Sequence, residues 1–203
     1  MSLDENRKFW EQAWADGRTR FHRLDVNDFL VKYAPTVFDA GDKVLVPLCG
    51  KSIDLLWLCQ QGHGVAGVEL AKQAINEFIS ENKLQGSWQD QRFQTQASRL
   101  SLYHQDFFHH EGKYEAIYDR ACLVALPSEL RKRMAEKYSS LLNPNGKILL
   151  ITLKHDEGSG PPYSISDEEI DDLFGNNFKI DFLDRGPASE LRLVEVRKLT
   201  KLN

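Results

Sequence analysis

Short apolar runs alternate with helical segments in this chain. This pattern restricts the possible folds more than any other feature, because it is typical of a βαβ unit. Residues 44–47 form an apolar run, residues 53–61 have a helical pattern that stops at Gly62, and residues 65–70 form a second apolar run. Parallel strands joined through a helix bury both faces of their sheet and give this pattern. We therefore predict an α/β fold with helices on both faces of a mostly parallel sheet.

Apolar spacing and turn residues predict further elements along the chain. The predicted helices are residues 4–16, 71–82 and 127–142, with another that starts at a Ser166/Glu169 capping box and ends at Gly175. The predicted strands are residues 100–105, 114–118 and 148–153. The glutamine-rich segment 85–99 lacks a period and is predicted to be a surface loop.

The C-terminal region has the alternation of an antiparallel strand pair that closes the sheet. One run contains Phe178, Ile180 and Phe182; the other contains Leu191, Leu193, Val194 and Val196; a loop with residues 184–187 joins them. This brings the predicted sheet to seven strands. We find no linker-like change in composition and expect a single domain over residues 1–203, with residues 1–40 as an N-terminal helical lid.

Composition excludes several classes of function. The 203 residues carry a formal net charge of -4, and Lys and Arg are scattered, so no nucleic-acid partner is expected. The N-terminus has no signal-peptide pattern and no apolar run reaches the roughly 20 residues of a membrane span, so we expect a cytoplasmic protein without a membrane partner. The three cysteines form no C-x-x-C pair and the histidines lack ligand spacing, so no metal is expected. We also expect a monomer.

The turn Gly50-Lys51-Ser52 after the first strand resembles the end of a triphosphate-binding loop. That loop requires an earlier glycine whose backbone wraps the phosphates, and Leu45 occupies its position. A dinucleotide fingerprint also fails, because only Gly50 of its three glycines is present. The turn therefore favours a ligand without a pyrophosphate.

Glu69, at the end of the second strand, points to an adenosine ligand. A carboxylate at this place in an open α/β sheet accepts hydrogen bonds from a ribose diol. S-adenosyl-L-methionine would use Glu69 for its ribose, the backbone N–H groups of residues 49–51 for its amino-acid end, and Asp106 for its adenine amino group. The alternative for Glu69 is a solvated strand end.

Several motifs resemble those of the thiopurine S-methyltransferase family. They are Phe9-Trp10 with Trp14, Gly17-Arg18-Thr19, Phe21-His22, Pro47-Leu48-Cys49-Gly50-Lys51-Ser52, Gly67-Val68-Glu69, Tyr118-Asp119-Arg120-Ala121, Ala125-Leu126-Pro127 and Gly160-Pro161-Pro162. The resemblance implies a Rossmann-like class I methyltransferase fold with a seven-stranded sheet, and S-adenosyl-L-methionine as cofactor with S-adenosyl-L-homocysteine as product. Arg23 and Tyr163 depart from the family's usual Gln and Phe.

The resemblance also implies which residues form the site. Its cofactor contacts are Trp14, Leu48, Glu69 and Arg120, with Asp106 and Phe107 near the adenine, and Phe21 is a wall of the acceptor pocket. An aromatic face suits a sulfonium cation, although Trp14 and Phe21 could instead only pack the helix on the core. Arg120 could hold an anionic acceptor or favour its thiolate, or form an ion pair with Asp119 or Glu69.

The implied reaction is methyl transfer to the sulfur of thiopurines or small thiols, with selenium and tellurium oxyanions as further acceptors. A soft, readily ionised nucleophile needs alignment more than general-base help, and the sequence offers no acid-base pair, so no catalytic residue is predicted. The alternatives are a small-molecule O- or N-methyltransferase and a non-catalytic binder of an adenosine ligand.

Overall fold

The computed structural model describes residues 2–97, 99–156, 158, 160–189 and 192–202. Backbone contacts divide the chain into two compact units. The first consists of Met1–Lys32 and Asp39–Glu111, and the second of Tyr33–Phe38 and Gly112–Asn203. Among the described residues, no helix is long and apolar enough to cross a membrane.

The first unit contains the predicted βαβ element. Its helices are α1 (Leu3–Ala15), the start of α2 (Asp28–Val37), α3 (Asp54–Gln60) and α4 (Lys72–Glu81); its strands are β1 (Lys43–Val46), β2 (Gly64–Glu69), β3 (Gly86–Gln89), β4 (Arg92–Thr95) and β5 (Leu100–His104). The strand order is β3-β4-β5-β2-β1. Strands β1, β2 and β5 run parallel, and β3 and β4 are antiparallel to their neighbours. The parallel strands therefore end at one edge of the sheet.

The second unit has a parallel pair followed by an antiparallel one. It contains β6 (Tyr114–Arg120), α5 (Ser128–Leu141), β7 (Leu142–Lys154), α6 (Asp167–Phe174), β8 (Phe178–Ser189) and β9 (Arg192–Lys201), in the strand order β6-β7-β9-β8. Strand β6 pairs parallel with β7, and β9 lies antiparallel between β7 and β8. The predicted mostly parallel sheet with an antiparallel C-terminal pair is confirmed.

Apolar burial follows the predicted faces in both units. Leu45, Val68 and Phe78 are fully buried in the first unit, and Ile148 and Leu149 in the second. Each such side chain contributes about 1.5–3 kcal/mol through its removal from water. The same pattern that predicted the elements therefore supplies the core that holds them.

The predicted count of seven strands is wrong: the described residues form five strands in the first unit and four in the second. The difference arises in segment 85–99, where β3 and β4 form a hairpin instead of a surface loop. Its turn contains Asp90 with φ 52°, and the rings of Trp88 and Phe93 lie 5.5 Å apart. Asp tolerates the left-handed region better than most residues, which makes this turn possible without glycine.

Two further local predictions need correction. Residues 184–187 are part of β8, paired with β9, and not a loop, while Leu191 of the predicted pair lies outside the described residues. Ser166 does accept a hydrogen bond from the Glu169 N–H at 3.1 Å, but the Glu169 carboxylate binds Arg131 at 2.6 and 2.8 Å. A stronger charged partner thus takes the carboxylate that a capping box would use.

Candidate cofactor site

Glu69 lies at the end of β2 and joins two turns of the first unit. Its Oε2 accepts the Gly50 N–H at 2.8 Å, and its Oε1 accepts the Ala71 N–H at 2.7 Å. The residue is 6% exposed. Glu69 is therefore not a solvated strand end, and each oxygen can still accept a further hydrogen bond.

Burial governs the charge state of this carboxylate. Removal from water raises the pKa of Glu69 above its usual value, and hydrogen bonds from the backbone N–H groups of Ala71, Gly50 and Leu70 partly oppose that rise. The ionised form accepts hydrogen bonds at both oxygens, whereas protonation would turn one oxygen into a donor. Acidification is thus expected to weaken the binding of any ligand that donates a hydrogen bond to Glu69.

The turn after β1 has an unusual backbone. Leu48 has φ 44° and Gly50 has φ 53°, both in the left-handed region. For a leucine this conformation costs about 1–3 kcal/mol, and such strain concentrates at ligand sites. The Cys49 N–H donates to the Val68 carbonyl at 3.0 Å, and the Gly50 N–H is taken by Glu69. The prediction that these two N–H groups are available for the methionine end is therefore wrong.

Lys51 does not extend the turn toward a ligand. Its Nζ lies 2.8 Å from Glu77 and 2.7 Å from Glu81 on α4. These two carboxylates raise the pKa of Lys51, mainly through their hydrogen bonds. The lysine of the Gly50-Lys51-Ser52 turn thus anchors α4, which agrees with the exclusion of a triphosphate.

Trp14 of α1 lies directly over the Gly50 turn. A Cβ on Gly50 would be 3.0 Å from Cζ2 of Trp14, so only glycine allows this approach. Trp14 is buried with Ala71 and Ala74 and meets Phe21 edge to face, with ring centroids 5.6 Å apart. Trp14 packs α1 on the core and also borders the pocket described next. Phe21 is 42% exposed and leans on Trp10 as well.

A pocket of about 220 Å³ opens at Leu70 and Ala71, the two residues that follow Glu69. It lies at the carboxyl ends of β2 and β5, and its lining residues are Glu11, Trp14, Leu70, Ala71, Lys72, Gln73 and His104. Burial lowers the pKa of His104, so its imidazole is neutral at physiological pH. Of these residues the sequence identified only Trp14. Leu70 and His104 could have been found from their places at the ends of two parallel strands.

Asp106 and Phe107 follow β5 as predicted, but their side chains differ in how far a ligand could contact them. Asp106 Oδ1 accepts the Phe108 N–H at 2.9 Å, while Oδ2 is buried without a hydrogen bond among the described residues and lies 3.8 Å from Arg7 Nε. An acceptor in this state suits a donor such as an adenine amino group. Phe107 as a whole is 1% exposed, so its contact with a cofactor stays a prediction.

Arg120 belongs to the second unit and is the last residue of β6. Its neighbour Asp119 binds the Cys122 N–H at 2.9 Å and the Tyr138 hydroxyl at 2.7 Å. Glu69 likewise uses its two oxygens for backbone N–H groups. A contact of Arg120 with cofactor or acceptor stays a prediction.

Solved structures with the same fold identify the class of protein to which this chain is similar. An S-adenosylmethionine-dependent methyltransferase from Methanosarcina mazei matches 88% of this chain and 99% of its own, with a TM-score of 0.69 and 15% identity. A 1,6-didemethyltoxoflavin-N1-methyltransferase from Burkholderia thailandensis, solved with S-adenosylhomocysteine, matches 97% of this chain and 87% of its own, with a TM-score of 0.68 and 16% identity. The fold is that of the class I methyltransferases, as predicted.

Sequence comparison then gives the family. The family model described as thiopurine S-methyltransferase matches residues 5–199. A thiopurine S-methyltransferase of Bordetella petrii is 40% identical over 97% of this chain and 94% of its own, and one of Pseudomonas putida is 42% identical over 80% and 79%. The chain belongs to the thiopurine S-methyltransferase family. The predicted family, the enzyme class and its cofactor, S-adenosyl-L-methionine, are confirmed.

Proposed function

We propose that this chain transfers the methyl group of S-adenosyl-L-methionine to the sulfur of a thiopurine or another small thiol. Selenium and tellurium oxyanions are further acceptors in this proposal. The observation that carries it is the buried Glu69 carboxylate, held between two turns beside a pocket at the strand ends, in a member of this family.

The pocket suits the nucleoside part of the cofactor. Its volume of about 220 Å³ is below the roughly 300–1,000 Å³ of whole ligand sites, so it holds a portion of the molecule. Glu69 would accept the ribose hydroxyls with its remaining lone pairs, and Asp106 Oδ2 would accept the adenine amino group. Both groups lie in the first unit.

Residues 1–40 act in this proposal as a lid over the cofactor. Trp14 borders the pocket and covers Gly50, and Phe21 stands beside it with an exposed ring. Two aromatic faces would attract the sulfonium cation and keep water from it. Leu48 contributes an apolar surface at the same turn.

S-adenosyl-L-methionine supplies a methyl group activated by its sulfonium sulfur. The acceptor thiol loses its proton to solvent and attacks as the thiolate, which is the reactive form of sulfur. A cation such as Arg120 favours that thiolate by stabilising its charge. The work of the chain is then alignment and exclusion of water, and no acid-base pair is required.

An acceptor panel tests the reaction. The purified protein would be incubated with S-adenosyl-L-methionine and, separately, 6-mercaptopurine, thiophenol, phenol, aniline, selenite or tellurite, and methylated product would be measured by mass spectrometry. We expect product from the two thiols and from the selenium or tellurium species. Product from phenol or aniline alone would contradict S-methylation and identify an O- or N-methyltransferase.

A monomer in the cytoplasm completes the proposal. Light scattering of the purified protein would give the molar mass in solution. A mass near 23.3 kDa is expected, and twice that value would contradict a monomer.

A further inference from the structure

The side chain of Asp119 is fully buried in the second unit. It is 0% exposed and lies one residue before the end of β6. Its Oδ1 accepts the Cys122 N–H at 2.9 Å, and its Oδ2 accepts the Tyr138 hydroxyl of α5 at 2.7 Å. Both oxygens are therefore used, and their partners come from the following turn and from a neighbouring helix.

The turn that Asp119 holds is strained. Ala121 has φ 68°, a conformation that costs a residue with a Cβ roughly 1–2 kcal/mol. The hydrogen bond from the Cys122 N–H to Asp119 closes the chain around Ala121, and Arg120 lies inside that closure. Strain of this kind persists where surrounding contacts determine the conformation.

Contacts beyond the turn extend this arrangement to the segment after the two prolines. Cys122 leads into a short 3-10 helix (Leu123–Ala125), and the Val124 carbonyl accepts the Tyr163 N–H at 2.7 Å. Arg131 Nε donates to the Leu126 carbonyl at 2.8 Å, and its guanidinium lies 5.2 Å from the Tyr163 ring centre. The residues that follow the turn thus hydrogen-bond both the Tyr163 backbone and the arginine that lies near its ring.

We propose that Asp119 and Tyr138 are positioning residues that fix the Arg120-Ala121-Cys122 turn, and through it the Arg120 guanidinium that serves the methyl acceptor. This inference rests on the proposed function, because it gives Arg120 an acceptor to serve. Asp119 itself touches no substrate in this arrangement. The ionised carboxylate makes both hydrogen bonds as an acceptor; once protonated, it can keep them only by weakening one.

Asp119 carries a stability cost when its carboxylate is ionised. Burial raises the pKa of Asp119 to about 6, against the opposing effect of its hydrogen bonds from Tyr138 and Cys122. The titratable groups that face the carboxylate are Tyr138 on α5 and Cys122 in the turn, with Arg120 adjacent in the chain. An ionised buried aspartate therefore destabilises the folded chain at neutral pH, and groups of this kind are concentrated at functional sites.

Two variants and two matched controls test the inference. Asp119→Asn keeps an acceptor for the Cys122 N–H but cannot titrate, and Tyr138→Phe removes one donor from the carboxylate. The controls are Asp184→Asn and Tyr33→Phe, because the Tyr33 hydroxyl also donates to an aspartate at 2.7 Å, away from the turn. The measurement is kcat/KM for 6-mercaptopurine from about pH 5 to about pH 8.

The expected result is a loss that depends on pH. At the alkaline end Asp119→Asn should lower kcat/KM by about tenfold, the loss of one charge-assisted hydrogen bond, mostly as a higher acceptor KM. The ratio of wild type to Asp119→Asn should approach one as the pH falls below about 6. Tyr138→Phe should move the acid limb of the profile to higher pH, and the controls should match the wild type.

Two other results separate failure of the inference from failure of the proposed function. A ratio of wild type to Asp119→Asn that is constant over pH, or a Tyr138→Phe profile equal to that of Tyr33→Phe, would overturn the positioning role while methylation itself stands. Absence of methyl transfer by the wild type, together with no binding of S-adenosylhomocysteine, would overturn the proposed function and this inference with it. Thermal unfolding of each variant would show that it is folded; if Asp119→Asn is not, Tyr138→Phe decides.

Discussion

The two units each contain a buried carboxylate near the end of a parallel strand, and the two differ in what surrounds them. Glu69 ends β2, accepts hydrogen bonds from the N–H groups of Gly50 and Ala71, and directly precedes two residues that line a pocket. Asp119 lies near the end of β6, holds the Cys122 N–H and the Tyr138 hydroxyl, and is fully enclosed. The pKa of both is raised, chiefly by burial.

The difference shows how one kind of residue can serve two purposes. Backbone N–H groups reach Glu69 from two sides and leave room for a ligand at the remaining lone pairs. Tyr138 donates to Asp119 from α5 and covers its second oxygen. Asp119 therefore acts on the turn whose Cys122 N–H it accepts. A buried carboxylate next to a pocket can accept hydrogen bonds from a ligand, whereas one without a pocket acts only through the protein groups that it holds.

The largest expected effect is on Glu69. Glu69→Ala should lower the affinity for S-adenosylhomocysteine by about 100-fold, because two hydrogen bonds to a charged group are lost and the two turns are released. Glu136→Ala, on the exposed side of α5, is the matched control and should bind as the wild type does. Calorimetric titration measures both, and equal affinities would remove Glu69 from the site.

The second effect concerns the stability cost of Asp119. Its folded pKa of about 6 exceeds the ordinary 3.8, so its contribution to stability is present below about pH 4 and is lost as the pH rises through 6. The free energy of unfolding of the wild type should therefore fall over this range, relative to Asp119→Asn, by roughly 3 kcal/mol. Urea unfolding at several pH values would measure it. Parallel curves would mean that Asp119 does not titrate in this range.

A smaller effect is expected from Trp14, which lines the pocket. Trp14→Phe should weaken binding of S-adenosylhomocysteine by about tenfold, through lost contact area on the cofactor side. Trp57→Phe, on α3, provides a control for the general cost of removing an indole ring. If both variants bind alike, Trp14 serves only to pack α1 on the core.

The smallest effect is expected from alanine substitutions at two glycines. Gly50 and Gly62 both have positive φ, but a Cβ at Gly50 would meet Trp14 at 3.0 Å, and one at Gly62 would meet nothing within 4 Å. Alanine at either position should cost about 1 kcal/mol of stability through backbone strain. Only Gly50→Ala should also weaken the binding of S-adenosylhomocysteine, because it displaces Trp14. Equal binding by both variants would show that the Trp14 contact does not shape the pocket.

The sequence predicted the parts of the fold that have a strong period. The βαβ unit and the strand ends that carry Glu69 and Asp106 were found because their burial repeats with the helix or strand period. The hairpin was missed because β3 and β4 have four residues each and β3 is mostly exposed, so Phe93 and Thr95 were too few to give a pattern.

The site was predictable only where a residue's role follows from its place on a strand. Glu69 met that condition, and so did Asp106. Occupation of the Cys49 and Gly50 N–H groups by Val68 and Glu69 depends on backbone geometry that no spacing encodes. The same holds for the pairing of Asp119 with Tyr138, which joins residues 19 positions apart on different elements.

Calorimetric titration of the wild-type protein with S-adenosylhomocysteine, with ATP and NADH as controls, tests most directly whether the Glu69 pocket is a site for this cofactor. We expect saturable one-to-one binding of S-adenosylhomocysteine and no heat of binding from ATP or NADH, because the turn after β1 offers no pyrophosphate cradle. Binding of ATP or NADH in preference, or no binding of S-adenosylhomocysteine, would contradict it.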